Sequence, residues 1–258
     1  MTTSWHSIEV MGGVTRRLLV AEPTGTPSMV LLSLHGSRSS PEGQRRLSRM
    51  ESLTVRGAVV AFPQGGLPLG SGWEWDLSGD QAFLEAAVDY LRERFRPSSA
   101  LLGVSGMSGG ARMASRYAST ARHEVAVLGA VAGLRSPAPV PLPHPVRVVA
   151  FHGTSDRINP LSGSGTARWN ESVLDAAMAW ARANDVPAEP RQEQVTGALT
   201  RFSFGPDEGP GAVTLWVARG AGHTWPGSRL SLGLRLFLGR TSHDVDATAE
   251  IWRAVQQA

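Results

Sequence analysis

Short continuous apolar runs, each closed by a residue that stops or bends the chain, constrain this sequence more than any other feature. Met29-Val30-Leu31-Leu32-Ser33-Leu34 ends at His35-Gly36, and Ala58-Val59-Val60-Ala61-Phe62 ends at Pro63. Leu101-Leu102-Gly103-Val104-Ser105, Val125-Ala126-Val127-Leu128, Val146-Arg147-Val148-Val149-Ala150-Phe151 and Val213-Thr214-Leu215-Trp216-Val217 follow. Runs of this length without polar alternation suit strands covered on both faces, as in a parallel sheet. Two shorter strands, 8–10 and 17–21, read as a hairpin across Met11-Gly12-Gly13, and 200–204 reads as a hairpin partner for the last run.

Helical patterns lie between the runs. Over 80–96, Leu84, Val88, Leu91 and Phe95 give one apolar face, Ser78 with Gln81 reads as a capping box, and Pro97 stops the element. From Ser172 to Ala183 the face is Val173, Ala176, Ala177 and Trp180; at the end of the chain it is Val245, Ala249, Trp252 and Val255. Alternating strands and helices predict an α/β fold with a mostly parallel central sheet and helices on both faces. The 258 residues suit a single domain, 1–258, and 137–145, with its prolines, reads as a loop inside it.

Composition removes several function classes. Apolar residues make up 41% and charged residues 18%, which excludes a disordered chain, and no apolar run approaches the ~18–20 residues of a membrane span. All basic residues are Arg, scattered and without interleaved aromatics, so the net charge of +3 is not the footprint of a nucleic-acid partner. With no Cys there is no disulfide, thiolate nucleophile or zinc ribbon, and no cofactor or metal is implied. The start, Met1-Thr2-Thr3-Ser4-Trp5-His6, lacks a basic stretch followed by an apolar one, so the expectation is a cytoplasmic chain.

The string that carries chemistry is Gly106-Met107-Ser108-Gly109-Gly110, after an apolar strand and before a helix-compatible stretch. That is the context of a strand-to-helix elbow presenting a serine, with small neighbours because the turn is crowded and the helix N-terminus aimed at a developing oxyanion. Ser105 competes less well, since position 107 is Met. A serine needs a base, and the partners follow in the order expected of such an elbow. Asp156 lies just past the fifth run, in Phe151-His152-Gly153-Thr154-Ser155-Asp156, and His223 past the last, in Gly220-Ala221-Gly222-His223-Thr224-Trp225-Pro226-Gly227. Oxyanion donors are expected from the backbone N–H of Gly109 and, in the loop His35-Gly36-Ser37-Arg38, of Ser37. His35 and His152 read as structural, and His6, His123, His144 and His243 show no ligand spacing.

Those strings resemble the polyhydroxybutyrate depolymerase and feruloyl esterase group of α/β hydrolases, related to carbohydrate esterase family 1. Leu34-His35-Gly36-Ser37 resembles the group's oxyanion loop, Phe62-Pro63-Gln64-Gly65 its next strand end, and 106–110 its elbow. His152 to Asp156 resembles the acid loop, Gly222 to Gly227 the histidine loop, and Asp244 to Trp252 the closing helix. The resemblance implies an α/β-hydrolase fold and an ester-cleaving Ser108–His223–Asp156 triad acting through an acyl-enzyme on a small or oligomeric ester. Ser37 stands where the group often has Cys, and Asn184-Asp185-Val186 where Asn-Gly-Cys is common; both departures agree with a reducing setting.

Two other functions remain open at this level: a cytoplasmic thioesterase or acyltransferase serving coenzyme A or carrier-bound acyl groups, and a catalytically silent binding protein. Trp73 and Trp225 are candidate walls of a substrate pocket, against the alternative that they pack loops onto the core. Specificity is assigned to the loops 66–76 and 157–169, and the stretch from Asp156 to Ser172 is expected to be the longest connection beside the site.

Overall fold

The apolar runs become neighbours in one sheet. A computed structural model describes residues 2–10, 12–229 and 235–258, the side chain of Arg235 excepted; Met11, in the expected hairpin turn, lies outside them. The elements are β1 (Thr2–Val10), β2 (Val14–Glu22), β3 (Met29–Leu34), α1 (Pro41–Ser48), a 3-10 turn (Met50–Arg56), β4 (Ala58–Pro63), β5 (Leu67–Leu69), β6 (Gly72–Glu74), α2 (Asp80–Phe95), β7 (Leu102–Met107) and α3 (Gly109–Thr120). Then come β8 (Val127–Val131), β9 (Arg147–Gly153), α4 (Val173–Ala183), β10 (Arg191–Thr196), β11 (Leu199–Phe204), β12 (Val213–Ala218), α5 (Arg235–Leu238) and α6 (Ala247–Gln256).

The main sheet runs β1-β2-β4-β3-β7-β8-β9-β12-β11-β10. From β4 to β12 every pairing is parallel, and these are the runs singled out in the sequence. Antiparallel pairs close both ends, β1–β2–β4 on one side and β12–β11–β10 on the other. Strand residues alternate between two cores. Val30, Leu32 and Leu34 meet Leu84 and Val88 of α2, Met113 of α3 and Trp180 of α4. Met29 and Leu31 face the opposite way, toward Met50, Leu53 and the Ile251, Trp252 and Val255 side of α6. Helices therefore cover both faces, and the architecture is the α/β-hydrolase fold. Among the described residues no helix is long and apolar enough to cross a membrane.

Local expectations needed correction. Ser78 does not cap α2: its hydroxyl donates to Asp76, and the cap position is Gly79, with no side-chain cap. The first turn is held instead by Asp80, whose Oδ2 accepts from the Gly66 and Asp76 N–H groups and whose Oδ1 pairs with Arg16 at 2.7 Å. In α6, Val245 precedes the helix and Ala249 is exposed; Asp246 caps it by accepting from the Ala249 N–H, which turns Ala247, Ile251, Trp252 and Val255 inward. Ser172 caps α4, its hydroxyl accepting from the Asp175 N–H.

Two elements had no apolar period to reveal them. α1 starts on Ser40, which accepts from the Gly43 N–H, with Pro41 in its first turn. β10 is an almost wholly exposed edge strand that exists through its pairing with β11. The connection from Asp156 to Ser172 is also not the longest beside the site: the one from His223 to the start of α6 at Ala247 is longer and brings Leu238 to the cleft described below.

Candidate active site

β7 runs into α3 through Ser108, whose φ of 54° and ψ of −116° depart from every ordinary region for a residue with a side chain. The turn is tight enough that a Cβ on Gly106 would lie 2.4 Å from the Gly110 carbonyl, and one on Gly110 would lie 2.2 Å from the Leu34 carbonyl oxygen. Only glycine fits at either place, so the elbow's spacing is a packing requirement. The Ser108 N–H donates to Val131 O at 2.9 Å, tying the bend to the next strand. Ser105, by contrast, is fully buried, with its hydroxyl on Leu32 O.

The Ser37 loop comes up against the same bend. A Cβ built on Gly109 would stand 2.5 Å from Ser37 Oγ and 3.1 Å from Ser37 N, so the two backbones nearly touch. As the first residue of α3, Gly109 has an N–H without an intrahelical acceptor. The Ser37 N–H likewise donates to no protein group among the described residues. The loop is clamped from below: Arg38 N–H donates to Trp73 O and Trp73 N–H to Ser39 O, each at 2.9 Å. The Trp75 indole donates to His35 O at 2.8 Å. His35 is a structural strut, with Nδ1–H donating to Gly36 O and Nε2 accepting from the Gly65 N–H; burial pushes its pKa down.

The end of β9 delivers Asp156, whose side chain is fully buried. Its Oδ1 accepts from the Ile158 N–H at 2.9 Å and the Asn159 N–H at 2.8 Å, and its Oδ2 accepts from His223 Nδ1 at 2.7 Å. His152 stands beneath it, donating from Nε2 to Asn159 O at 2.7 Å and stacked on Trp169. Its Nδ1 is buried without a partner among the described residues, and burial lowers its pKa. The His223 backbone is fixed by its N–H on Leu238 O.

Ser108 and His223 line one cleft of about 830 Å³, together with Gly36, Ser37, Met107 and Ile158. The structure thus brings the three dispersed side chains to the carboxyl edge of the parallel strands. It does not bring the two tryptophans into the cleft lining. Trp73 serves through its backbone as the clamp on the Ser37 loop. Trp225 is 1% exposed and packs in the α6-side core, its indole donating to Thr248 Oγ1 at 3.2 Å. A large aromatic with one polar atom is satisfied by that buried partner, and for Trp225 the packing alternative fits the structure.

Loops 66–76 and 157–169 do reach the cleft, through Leu69, Glu74 and Ile158, with Arg168 among them. The sequence marks these two loops and the Ser37 loop that carries Arg38, but not which of their side chains reach the cleft; Arg46 and Leu238 give no signal at all, because the convergence depends on chain segments far apart. Glu74 accepts from the Trp75 N–H and lies 3.9 Å from Arg112, which also donates to Ser37 Oγ. Burial and the nearby Arg168 hold the Arg112 pKa below the usual guanidinium value. Among the described residues no group of three or more His, Cys, Asp or Glu side chains is arranged to hold a metal ion.

No protein-family model matches the chain, and no curated protein matches it. Solved structures do. An acetyl xylan esterase from Aspergillus awamori aligns with a TM-score of 0.65 at 16% identity, covering 86% of this chain and 94% of that one. A complex of the protein titled pOPH with DMSO aligns at 0.58 and 15%, covering 88% and 82%. The native structure titled sOPH aligns at 0.52 and 17%, covering 71% and 77%. At these identities the likeness is one of fold.

Proposed function

We propose that the chain is a serine hydrolase of carboxylic esters. In this reading Ser108 is the nucleophile, His223 the general base and acid, Asp156 the carboxylate that orients His223, and the backbone N–H groups of Gly109 and Ser37 the oxyanion hole. The observation that carries it is the 2.7 Å bond from His223 Nδ1 to a buried Asp156, in an imidazole that shares its cleft with a serine at a strained strand-to-helix bend. Fold likeness contributes only the scaffold, since one scaffold hosts many chemistries.

The chemistry follows from the donors and acceptors. With Nδ1–H committed to Asp156, a neutral His223 keeps its free lone pair on Nε2, the form a general base requires. His223 takes the Ser108 proton as Oγ attacks the carbonyl carbon, and the oxyanion gathers the Gly109 and Ser37 N–H groups, which have no competing protein acceptor among the described residues. The imidazolium, stabilised by Asp156, gives its proton to the departing alkoxide. Water, deprotonated by the same imidazole, then releases the acid from the Ser108 ester and returns the enzyme.

The test is Ser108→Ala with a short-chain para-nitrophenyl ester. Turnover should fall at least about a thousandfold while the melting temperature is kept. Undiminished turnover, or failure of a fluorophosphonate to label wild-type Ser108, would remove the proposal. Product analysis with competing alcohols separates hydrolysis from acyl transfer: transfer outrunning hydrolysis would replace the esterase reading with an acyltransferase one.

A further inference from the structure

Three arginines from separate segments line the cleft: Arg38 beside the oxyanion loop, Arg46 on α1, and Arg168 in the loop before α4. Arg16, Arg45, Arg122, Arg135, Arg191, Arg201 and Arg253 are each answered by a carboxylate elsewhere in the fold. The three cleft arginines form no ion pair among the described residues, and all three are exposed. Glu74 is the acid on the cleft wall, and Arg112 already stands beside it. Apolar side chains, Leu47, Leu69, Met107, Ile158 and Leu238, share the lining with the arginines and Ser108, and most of the lining surface is apolar. At about 830 Å³ the space is far larger than a short acyl ester fills.

Resting on the esterase reading, we propose that the substrate carries an anionic group, joined to the scissile carbonyl by an apolar spacer, which the Arg38, Arg46 and Arg168 guanidiniums attract and hold. An excess of one sign of charge around a low-dielectric cleft raises the local concentration of the opposite ion and favours the substrate orientation that places it there. A guanidinium offers carboxylate and phosphate the same paired N–H donors, so the anion is either a free carboxylate, as on a half-ester or an oligoester acid, or a phosphate, as on a coenzyme-linked thioester.

The experiment compares kcat/KM for two pairs of probes. One pair is mono-para-nitrophenyl adipate, which bears a carboxylate, and para-nitrophenyl heptanoate, which does not. The other is hexanoyl-coenzyme A and hexanoyl-pantetheine, which lacks the phosphates. At low salt the wild type should favour the charged member of at least one pair roughly tenfold. That preference should shrink as ionic strength rises, and should fall severalfold in the Arg38→Gln/Arg46→Gln/Arg168→Gln variant, with Arg191→Gln as a control outside the cleft. Should the triple variant unfold, the single Arg46→Gln exchange and the wild-type salt series decide. The pair that shows the preference identifies the anion as carboxylate or phosphate. Ratios near one in both pairs, or a preference that neither salt nor the exchanges alter, overturn the proposal. If the neutral ester is cleaved but the ratios are flat, the esterase reading stands without this inference; if no probe is cleaved, the esterase reading itself has failed.

Discussion

The floor and the rim of the cleft are built on opposite terms. On the floor, Asp156 is buried and has three hydrogen-bond donors, Ser108 is held at positive φ by a bend only glycines can line, and His223 is fixed at its backbone and its ring. On the rim, Arg38, Arg46 and Arg168 are exposed and without ion pairs among the described residues, and Leu236 and Phe237 beside Leu238 are 95% and 83% exposed. Strain and buried charge persist only where the surroundings over-determine them, so the floor is the part whose geometry is set before a substrate arrives. The rim contributes long-range field and apolar contact, which tolerate imprecise placement.

The largest expected effect breaks the floor without disturbing its framework. In Asp156→Asn the amide oxygen still accepts from the Ile158 and Asn159 N–H groups, so the turn after β9 keeps its shape. The NH₂ then faces His223 Nδ1 and favours the wrong tautomer. We expect kcat/KM for a neutral ester to drop about 10³–10⁴-fold with the melting temperature changed by only a few degrees. A loss under tenfold would mean that the buried carboxylate does not set the imidazole, and the floor would then be no more committed than the rim.

The same division governs how much could be read from the sequence. The parallel strands were legible because double-sided burial writes itself as unbroken apolar runs, and the elbow because crowding at 106 and 110 admits only glycine. α1 and β10 were not, since one has a single leucine and the other is polar and paired along an exposed edge. At the site, Ser108, Asp156 and His223 follow particular strand ends, a local signal. Glu74, Arg46, Arg168 and Leu238 meet only after folding brings four segments together, and no window of sequence contains that fact. Trp225 shows a related effect: it sits next to the strongest histidine signal, yet its ring turns into the α6-side core.

Trp225 therefore provides an intermediate test, because it adjoins His223 in sequence while belonging to the core. Trp225→Phe removes the indole N–H from Thr248, whose hydroxyl continues to Ser48 O, and leaves a partial cavity. Urea denaturation should show a loss of about 1–2 kcal/mol, with KM for a short ester within twofold of wild type. A changed KM at unchanged stability would put the ring in contact with substrate.

The smallest effect concerns the two histidines beneath the floor. His35 donates through Nδ1 to Gly36 O and accepts the Gly65 N–H at Nε2, so a second proton would evict that donor. His152 donates through Nε2 to Asn159 O, and protonating its unpartnered Nδ1 would charge a buried ring whose neighbouring carboxylate, Asp156 at 3.6 Å from Nε2, is already engaged by His223. Burial accordingly lowers both pKa values from the ordinary 6.5, against the weaker pull of neighbouring carboxylates. A base whose folded pKa lies below its unfolded one binds fewer protons when folded. Its stabilising contribution is complete above pH 6.5 and is lost as the pH falls through 6.5 toward the depressed value. Within that window each histidine steepens the fall in stability by at most about 1.4 kcal/mol per pH unit. His152→Asn, whose amide can still donate toward Asn159 O, should be less stable than wild type at neutral pH and lose stability less steeply below it, as read from urea midpoints over a pH series. Parallel curves for the two proteins would show that His152 takes up its proton in the folded state, and that the floor under Asp156 yields to charge as readily as the open rim.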